Sequence, residues 1–410
     1  MSDTQNPSAA SAPDVPISAP VTRPSVSGLP AQASGLPPYA SGAPEPPPLL
    51  AEAATTGSQP PNVGSQPPNV GSQPPSVPMP GDAATLPPPG LVESPTARSA
   101  LRNDIVKLAG VYVAALFAMQ LIVPMIFGVI LVFADPNLRS KVLSGSGSQA
   151  ITDALGSWMA WINLVAVLVG ASLYFILRGR RLVTTDITTT IPVGGRWPLL
   201  GKAAVLILGS SGVMVGLNAL FQAITGLQLS AAESSLVGSI STSVIGILYI
   251  VLIGPFLEEV IFRGAILRHL MPYGVNFAIV TQAVLFGLYH MNFYQGLFAF
   301  CVGLVLGYVA SRFSLKWSFA LHVLNNGLSM LGSLSDTWST VLVVIVAVCA
   351  AGALAIAILD RQSGRPLITE GRSAELLRPF QAGWTQPFFL AVVIVVFLIG
   401  LGINMFYMVQ

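Results

Sequence analysis

The sequence predicts an all-α, polytopic membrane bundle of about eight or nine transmembrane helices behind a disordered, Pro-rich N-terminal tail. Three observations carry that reading. Of 410 residues, 53% are hydrophobic and only 9% charged, whereas ordinary globular domains carry about 25% charge. The apolar residues gather into runs close to the roughly twenty residues a helix needs to cross a hydrocarbon core. Nothing alternates with the two-residue period of a barrel strand, so each crossing must satisfy its backbone internally, as a helix does.

The elements follow in chain order. Residues 1–98 are rich in Pro, Ser, Ala and Gly and hold three near-copies of one heptapeptide, Gly57–Val63, Gly64–Val70 and Gly71–Val77, the first two reading GSQPPNV. Such a segment cannot bury enough apolar surface to offset its ordering entropy and is expected to be disordered with local polyproline character. A plain spacer accounts for it, and a partner domain docking on the Pro-rich repeats is the alternative. The first apolar run follows about a hundred polar residues, so no signal peptide is expected and the first membrane helix should direct insertion. The transmembrane domain, 99–410, breaks into runs near 108–134, 155–177, 203–225, 241–270, 275–290, 294–311, 317–334, 338–359 and 386–408. Cys301 and Cys349 lie inside such runs, where a lone thiol behaves as a small hydrophobe.

Basic residues in short loops predict orientation. Arg178, Arg180, Arg181, Arg196 and Lys202 share one loop, Arg268 marks the next on that side, then Arg312 and Lys316, then Arg361, Arg365, Arg372 and Arg378; the intervening stretches 226–240 and 335–338 carry no Lys or Arg. The expectation is a multi-pass protein of a bacterial cell membrane with its N-terminus cytoplasmic. A net charge of +2 without a basic block excludes nucleic acid as an expected partner.

Ionisable residues inside membrane helices are costly, about 2.5–3.5 kcal/mol each on insertion scales, and so mark function by default. Here they cluster. Glu258, Glu259 and Arg263 interrupt one apolar run. Glu259 and Arg263 have the favourable i, i+4 spacing for an ion pair, acid first. Glu258 is rotated about 100° in α-geometry, which predicts that Arg263 holds Glu259 while Glu258 faces a cavity. The alternative is a solvated helix end, but apolar residues continue through Ile266, Leu267 and Leu270 before the run closes at Arg268 and His269. His269 is assigned to the interface without a role. Phe286 and His290 close the next run, and His322 shares a helical face with Asn326. Asn325 points elsewhere and is expected to pack or to bond between helices.

Hydrolysis in a membrane needs a base to activate water and donors to hold an oxyanion. A glutamate with a histidine suits the first task, and a histidine with an asparagine the second. Motifs of serine hydrolases, His-Glu-x-x-His zinc helices and paired intramembrane aspartates are all missing from the sequence. Two histidines and a carboxylate are also a zinc ligand set. Glu258, His290 and His322 are therefore the candidate ligands of a divalent metal such as zinc, and their spread over three helices does not decide whether one is bound.

The ordered set Glu258-Glu259…Arg263, Phe286…His290 and His322…Asn326 resembles the three motifs Glu-Glu-x-x-x-Arg, Phe-x-x-x-His and His-x-x-x-Asn of the type II CAAX prenyl endopeptidase and bacteriocin-processing (CPBP, or Abi) family of intramembrane proteases. The resemblance covers about 200–335. It implies that Glu258 and His290 activate the attacking water, that His322 and Asn326 stabilise the oxyanion, and that Glu259, Arg263 and Phe286 support them. It implies a membrane-associated protein or peptide substrate, as in CAAX-box protein processing. The family is often labelled metalloprotease, although its eukaryotic CAAX branch looks metal-independent, so the label leaves the cofactor open. Two other readings remain: a catalytically idle scaffold or immunity protein with the same motifs, and a transporter with midplane charges and a helix broken at Gly254 and Pro255. No inverted repeat supports the transporter. One difficulty attends the protease: strict alternation of spans puts His290 near the outer end of its helix and Glu258 nearer the cytoplasm.

Overall fold

A computed structural model describes residues 95–190, 192–231, 243–362 and 373–409. Almost all of the tail, including its repeats, lies outside them, as do most of the 226–240 stretch and Arg365 and Arg372. The described residues are helical, with no strand among them and one isolated bridge between Thr190 and Ser314.

Nine principal helices occupy the nine apolar runs. They are α1 (Pro95–Ala134), α2 (Met159–Arg178), α3 (Trp197–Thr225), α4 (Val244–Tyr273), α5 (Val275–Tyr289), α6 (Phe293–Arg312), α7 (Leu315–Gly332), α8 (Asp336–Gln362) and α9 (Pro387–Met408). Seven are long and apolar enough to cross a membrane. The chain is an integral, multi-pass membrane protein. The two that fall short do so for different reasons. α5 has 15 residues and spans only about 22 Å at 1.5 Å per residue, against a hydrocarbon core of about 30 Å. α7 has 18 residues but spends several on Lys316, Ser318, His322, Asn325 and Asn326. α1 also begins at Pro95, so the helix takes in the last few residues assigned to the tail; Pro is at home in a first helical turn, where its missing N–H has no intrahelical partner to lose.

The core lies where α4, α5, α1 and α2 meet. Ile261, Phe262, Ala265 and Ile266 of α4 are buried against Phe277, Leu285 and Phe286 of α5 and Leu108, Tyr112 and Ala115 of α1. The Tyr112 hydroxyl donates to Leu285 O at 2.8 Å, tying α1 to α5. α8 sits at the periphery, with Val346 its only buried residue among those described, while Val343, Val344 and Val348 face outward. Its grip on α3 comes from small residues. A Cβ at Gly212 or Gly209 would collide with the backbone carbonyl of Val346 or Cys349, so the two helices touch backbone to backbone, as close pairs in membranes do. Lys202 closes the pair against Asp360 at 2.6 Å. Both cysteines are free and half-buried.

Two features of the α4–α5–α6 stretch position the functional residues. Gly274 turns α4 into α5 with φ +141°, a backbone that side-chain-bearing residues rarely adopt. α5 and α6 then press together at Gly287 and Gly296, where a Cβ on either would stand 2.6 or 2.8 Å from the other's carbonyl oxygen. His269, expected at the interface, is half-buried with Nε2 3.7 Å from Asp104 Oδ2, and Tyr273 donates to the same carboxylate oxygen at 2.6 Å.

Candidate active site

The turn at Gly274 resolves the difficulty over depth. Glu258 and His290 each stand sixteen positions from Gly274, one on either side. In an antiparallel hairpin equal arms end at equal height. Because α5 stops early, His290 reaches the level of Glu258 instead of the far surface. Strict alternation misjudged this by treating α5 as a full crossing. Met291 completes the arrangement with φ +50°, a left-handed conformation that disfavours a non-glycine residue by about 1–2 kcal/mol. Such strain is tolerated where the surroundings enforce it. Asn292 then caps α6 by accepting from Gln295 N at 3.1 Å.

α4 is not a plain α-helix. Tyr249–Ile253 and Glu259–Leu267 are wound with i→i+5 hydrogen bonds, a rare geometry that favours functional positions. The first stretch explains one site residue directly. Gly254 N–H bonds Tyr249 O, and in that register Ile250 O would await the N–H of residue 255. That residue is Pro255, which has none. Asn326 Nδ2 supplies the missing donor at 3.0 Å. Asn325 Nδ2 in turn donates to Asn326 Oδ1 at 3.1 Å, which fixes the orientation of the Asn326 amide. Ser211 of α3 reaches Asn325 Oδ1 at 3.5 Å, the bond between helices expected of Asn325.

The second stretch carries the charges. Glu259 and Arg263 are completely buried, with Arg263 Nη1 2.9 Å from Glu259 Oε1. A solvated helix end is thereby ruled out. No guanidinium nitrogen aims an N–H along a hydrogen bond among the described residues. Charge neutralisation and the face of Phe286, whose ring centroid is 4.4 Å from Arg263 Cζ, hold the group instead. Phe286 is thus a wedge: the Arg263 guanidinium lies on its face, and the rings of His290 and His322 meet it edgewise at 5.0 and 5.8 Å.

Glu259 has more partners than Arg263. Ser318 Oγ donates to its Oε2 at 2.5 Å, and His322 Nδ1 to its Oε1 at 3.0 Å. Ser318 was not singled out from the sequence, although it lies one helical turn before His322 and shares its face. His322 Nε2, at the other side of the ring, stands 3.5 Å from Glu258 Oε2. The sharp separation of the two glutamates expected from 100° per residue is therefore softened. With i→i+5 winding each residue turns less, so one imidazole lies between both carboxylates.

The tautomers follow from the acceptors. A carboxylate can only accept, so His322 Nδ1 bears a proton. The same holds for His290, whose Nδ1 is 2.8 Å from Phe286 O, leaving Nε2 of its neutral ring as an acceptor.

Glu258, His290, His322 and Asn326 all line one cavity of about 410 Å³. The site residues expected from the sequence are thus brought together: four on the cavity, Phe286 on its wall as well, and Glu259 and Arg263 buried behind it. Tyr249, Tyr289, Gln120, Asn163 and Gln295 also line it. They went unremarked in the sequence, where Gln120 and Asn163 do carry a signal, each a lone amide within an apolar run.

Residues 240–328 match the family model described as type II CAAX prenyl endopeptidase Rce1-like. The resemblance read from the motifs is borne out over this stretch. The Rce1-like segment runs from the start of α4 to within α7 and contains every motif residue. No curated protein and no solved structure matches the chain.

A resident metal would need three converging ligands in the Rce1-like segment. Among the described residues no three His, Cys, Asp or Glu side chains form such a set. His322 and His290 have each committed Nδ1 to a protein acceptor. Each keeps Nε2 open, an arrangement shared by metal-bound imidazoles and by general bases; no step below runs through a metal.

Proposed function

We propose that the chain is an intramembrane endopeptidase that hydrolyses a peptide bond of a membrane-associated protein or peptide with water activated by Glu258 and His290. The observation that carries this is the convergence of Glu258, His290, His322 and Asn326 on one cavity within the Rce1-like segment. CAAX-box processing is the activity named by the matched family, and another membrane-associated protein or peptide fits the same chemistry.

In this reading a water in the cavity donates one hydrogen bond to His290 Nε2 and loses a proton to the Glu258 carboxylate as its oxygen attacks the scissile carbonyl carbon. The carbonyl π electrons move to the oxygen. Asn326 has one N–H left after its bond to Ile250 O, and it turns this to the oxyanion. His322 can join it only with a proton on Nε2, because Nδ1 is already committed to Glu259. The resulting imidazolium would lie between two carboxylates, and the Glu259–Arg263–Ser318 cluster holds the ring in place for it. As the tetrahedral intermediate collapses, the C–N bond breaks and the leaving nitrogen takes the proton from Glu258, restoring the carboxylate. The reading places the tail in the cytoplasm and leaves the Pro-rich repeats as spacer or docking segment.

Comparative membrane proteomics of cells carrying wild type or Glu258→Gln at equal protein level tests the reading and finds the substrate. New peptide termini should appear in wild type only. Identical termini in both would remove Glu258 as the base.

A further inference from the structure

His290 stands on a turn whose conformation its own residues do not favour. The end of α5 is tightened, with His290 N–H bonded to Gly287 O at 3.3 Å and Met291 N–H to Leu288 O at 3.1 Å. Met291 then takes φ +50°, where a residue with a side chain stays only if its surroundings hold it. The His290 ring is tethered to this same turn by the bond between its Nδ1 and Phe286 O. A shift of the turn therefore carries the ring, and Nε2, with it.

The element that holds the turn is α9, which lies outside both the motifs and the matched family segment. Phe389, Val392 and Val396 anchor α9 in the core. One helical turn after Val396 comes Gly400, and a Cβ there would stand 3.3 Å from both Met291 C and Asn292 N. Those are backbone atoms, which cannot swing aside as a side-chain end can, so the bare Cα of Gly400 lets α9 press directly on the strained turn. One turn further along, Asn404 is a lone amide in an apolar helix and is buried. Its Oδ1 accepts from Tyr294 N at 3.4 Å, in the first turn of α6, where an N–H has no partner within its own helix. Beside these contacts the helices part around an apolar cleft of about 410 Å³ lined by Val284, Leu288, Phe300, Val393 and Phe397. Gly400 and Asn404 are where α9 meets the backbone of the turn.

Building on the endopeptidase reading, we propose that Gly400 and Asn404 are positioning residues for the reaction: through the Met291 turn, α9 sets where His290 stands relative to Glu258. Water activation depends on that placement, because a misplacement of about 1 Å costs on the order of a hundredfold in rate. The helix takes part in this way although it lends no side chain to the lining of the catalytic cavity.

The test uses the purified full-length protein in phosphatidylcholine vesicles, with its histidine rings labelled with heavy nitrogen and read by NMR. The chain has three histidines, so the spectrum is simple, and His290→Gln identifies the signal of His290. Gly400→Ala should shift that signal, and the bulkier Gly400→Val should shift it further, with His269 and His322 unmoved. Gly402→Ala makes the same change on the same helix where a Cβ meets nothing within 4 Å, and it should move none of the three. Cleavage is measured on a library of short membrane-anchored peptides that includes prenylated CAAX sequences. On the peptide cut fastest, kcat should fall by roughly threefold to tenfold for Gly400→Ala and about a hundredfold for Gly400→Val, with KM unchanged. Asn404→Leu, which removes the acceptor, should fall between them. Gly400→Ala decides alone if the valine variant does not fold. A His290 signal unmoved by Gly400→Ala, or moved as much by Gly402→Ala, would overturn the proposal, as would an unchanged kcat. Signals that move as expected in a protein whose wild type cuts nothing in the library would instead defeat the endopeptidase reading and leave the hold of α9 on the His290 turn standing.

Discussion

α7 and α8 follow one another in the chain and have opposite relations to the membrane. α8 is 27 residues long, with Val346 alone buried, and its outward valines are satisfied by lipid. α7 is too polar to count among the membrane-crossing helices, and its Ser318, His322 and Asn325 are buried. Lipid cannot satisfy those groups, and each hydroxyl, imidazole or amide left alone at depth would cost several kcal/mol. Each has a protein partner instead: Ser318 and His322 bond Glu259, and Asn325 bonds Asn326. The difference teaches that lipid satisfies the outward face of α8, while α4 and α7 hold one another's polar groups and Phe286 of α5 covers the Arg263 guanidinium.

That contrast can be broken at its centre. Arg263→Ala would leave the buried Glu259 carboxylate without its counter-charge, and stranding one partner of a buried pair costs about 3–5 kcal/mol. A loss of that size should appear as lower thermal stability in detergent and low protein yield. Val344→Ala, in the outward face of α8, should shift stability by less than about 0.5 kcal/mol. Equal effects of the two would mean that the polar set does not organise the bundle.

A smaller effect sharpens the comparison inside α7. Ser318 touches Glu259 and not the cavity, so its role is to position that carboxylate and, through it, His322. Hydrogen bonds to charged groups contribute about 1.5–3 kcal/mol, so Ser318→Ala should lower kcat by roughly tenfold to a hundredfold while KM stays the same, and Ser318→Thr should restore much of it. A change in KM alone, or no rescue by Thr, would reduce Ser318 to packing.

Much of this was legible in the sequence. Apolar runs located all nine helices because membrane helices announce themselves by length, and the i, i+4 spacing found the Glu259–Arg263 pair. What stayed hidden has physical reasons. Helical periodicity at 3.6 residues per turn cannot register the i→i+5 winding of Tyr249–Ile253 and Glu259–Leu267, which depends on tertiary partners such as Asn326 for Ile250 O. It therefore overstated the rotation between Glu258 and Glu259. The premature end of α5 is equally silent, since His290 at the end of an apolar run looks the same whether the helix crosses or stops inside. The bond from Ser318 to Glu259 was obscured because serine is common in membrane helices, where its hydroxyl usually bonds its own backbone.

The central claim is that Glu258 drives peptide hydrolysis at this cavity. It is tested most directly by single-turnover cleavage of a membrane-anchored peptide by purified protein in vesicles, comparing wild type with Glu258→Gln. The isosteric amide keeps the shape of the site and removes the base. The rate of the chemical step should fall by roughly a hundredfold to ten-thousandfold, with peptide binding and thermal stability little changed. A Glu258→Gln protein that cleaves at the wild-type rate would contradict the account.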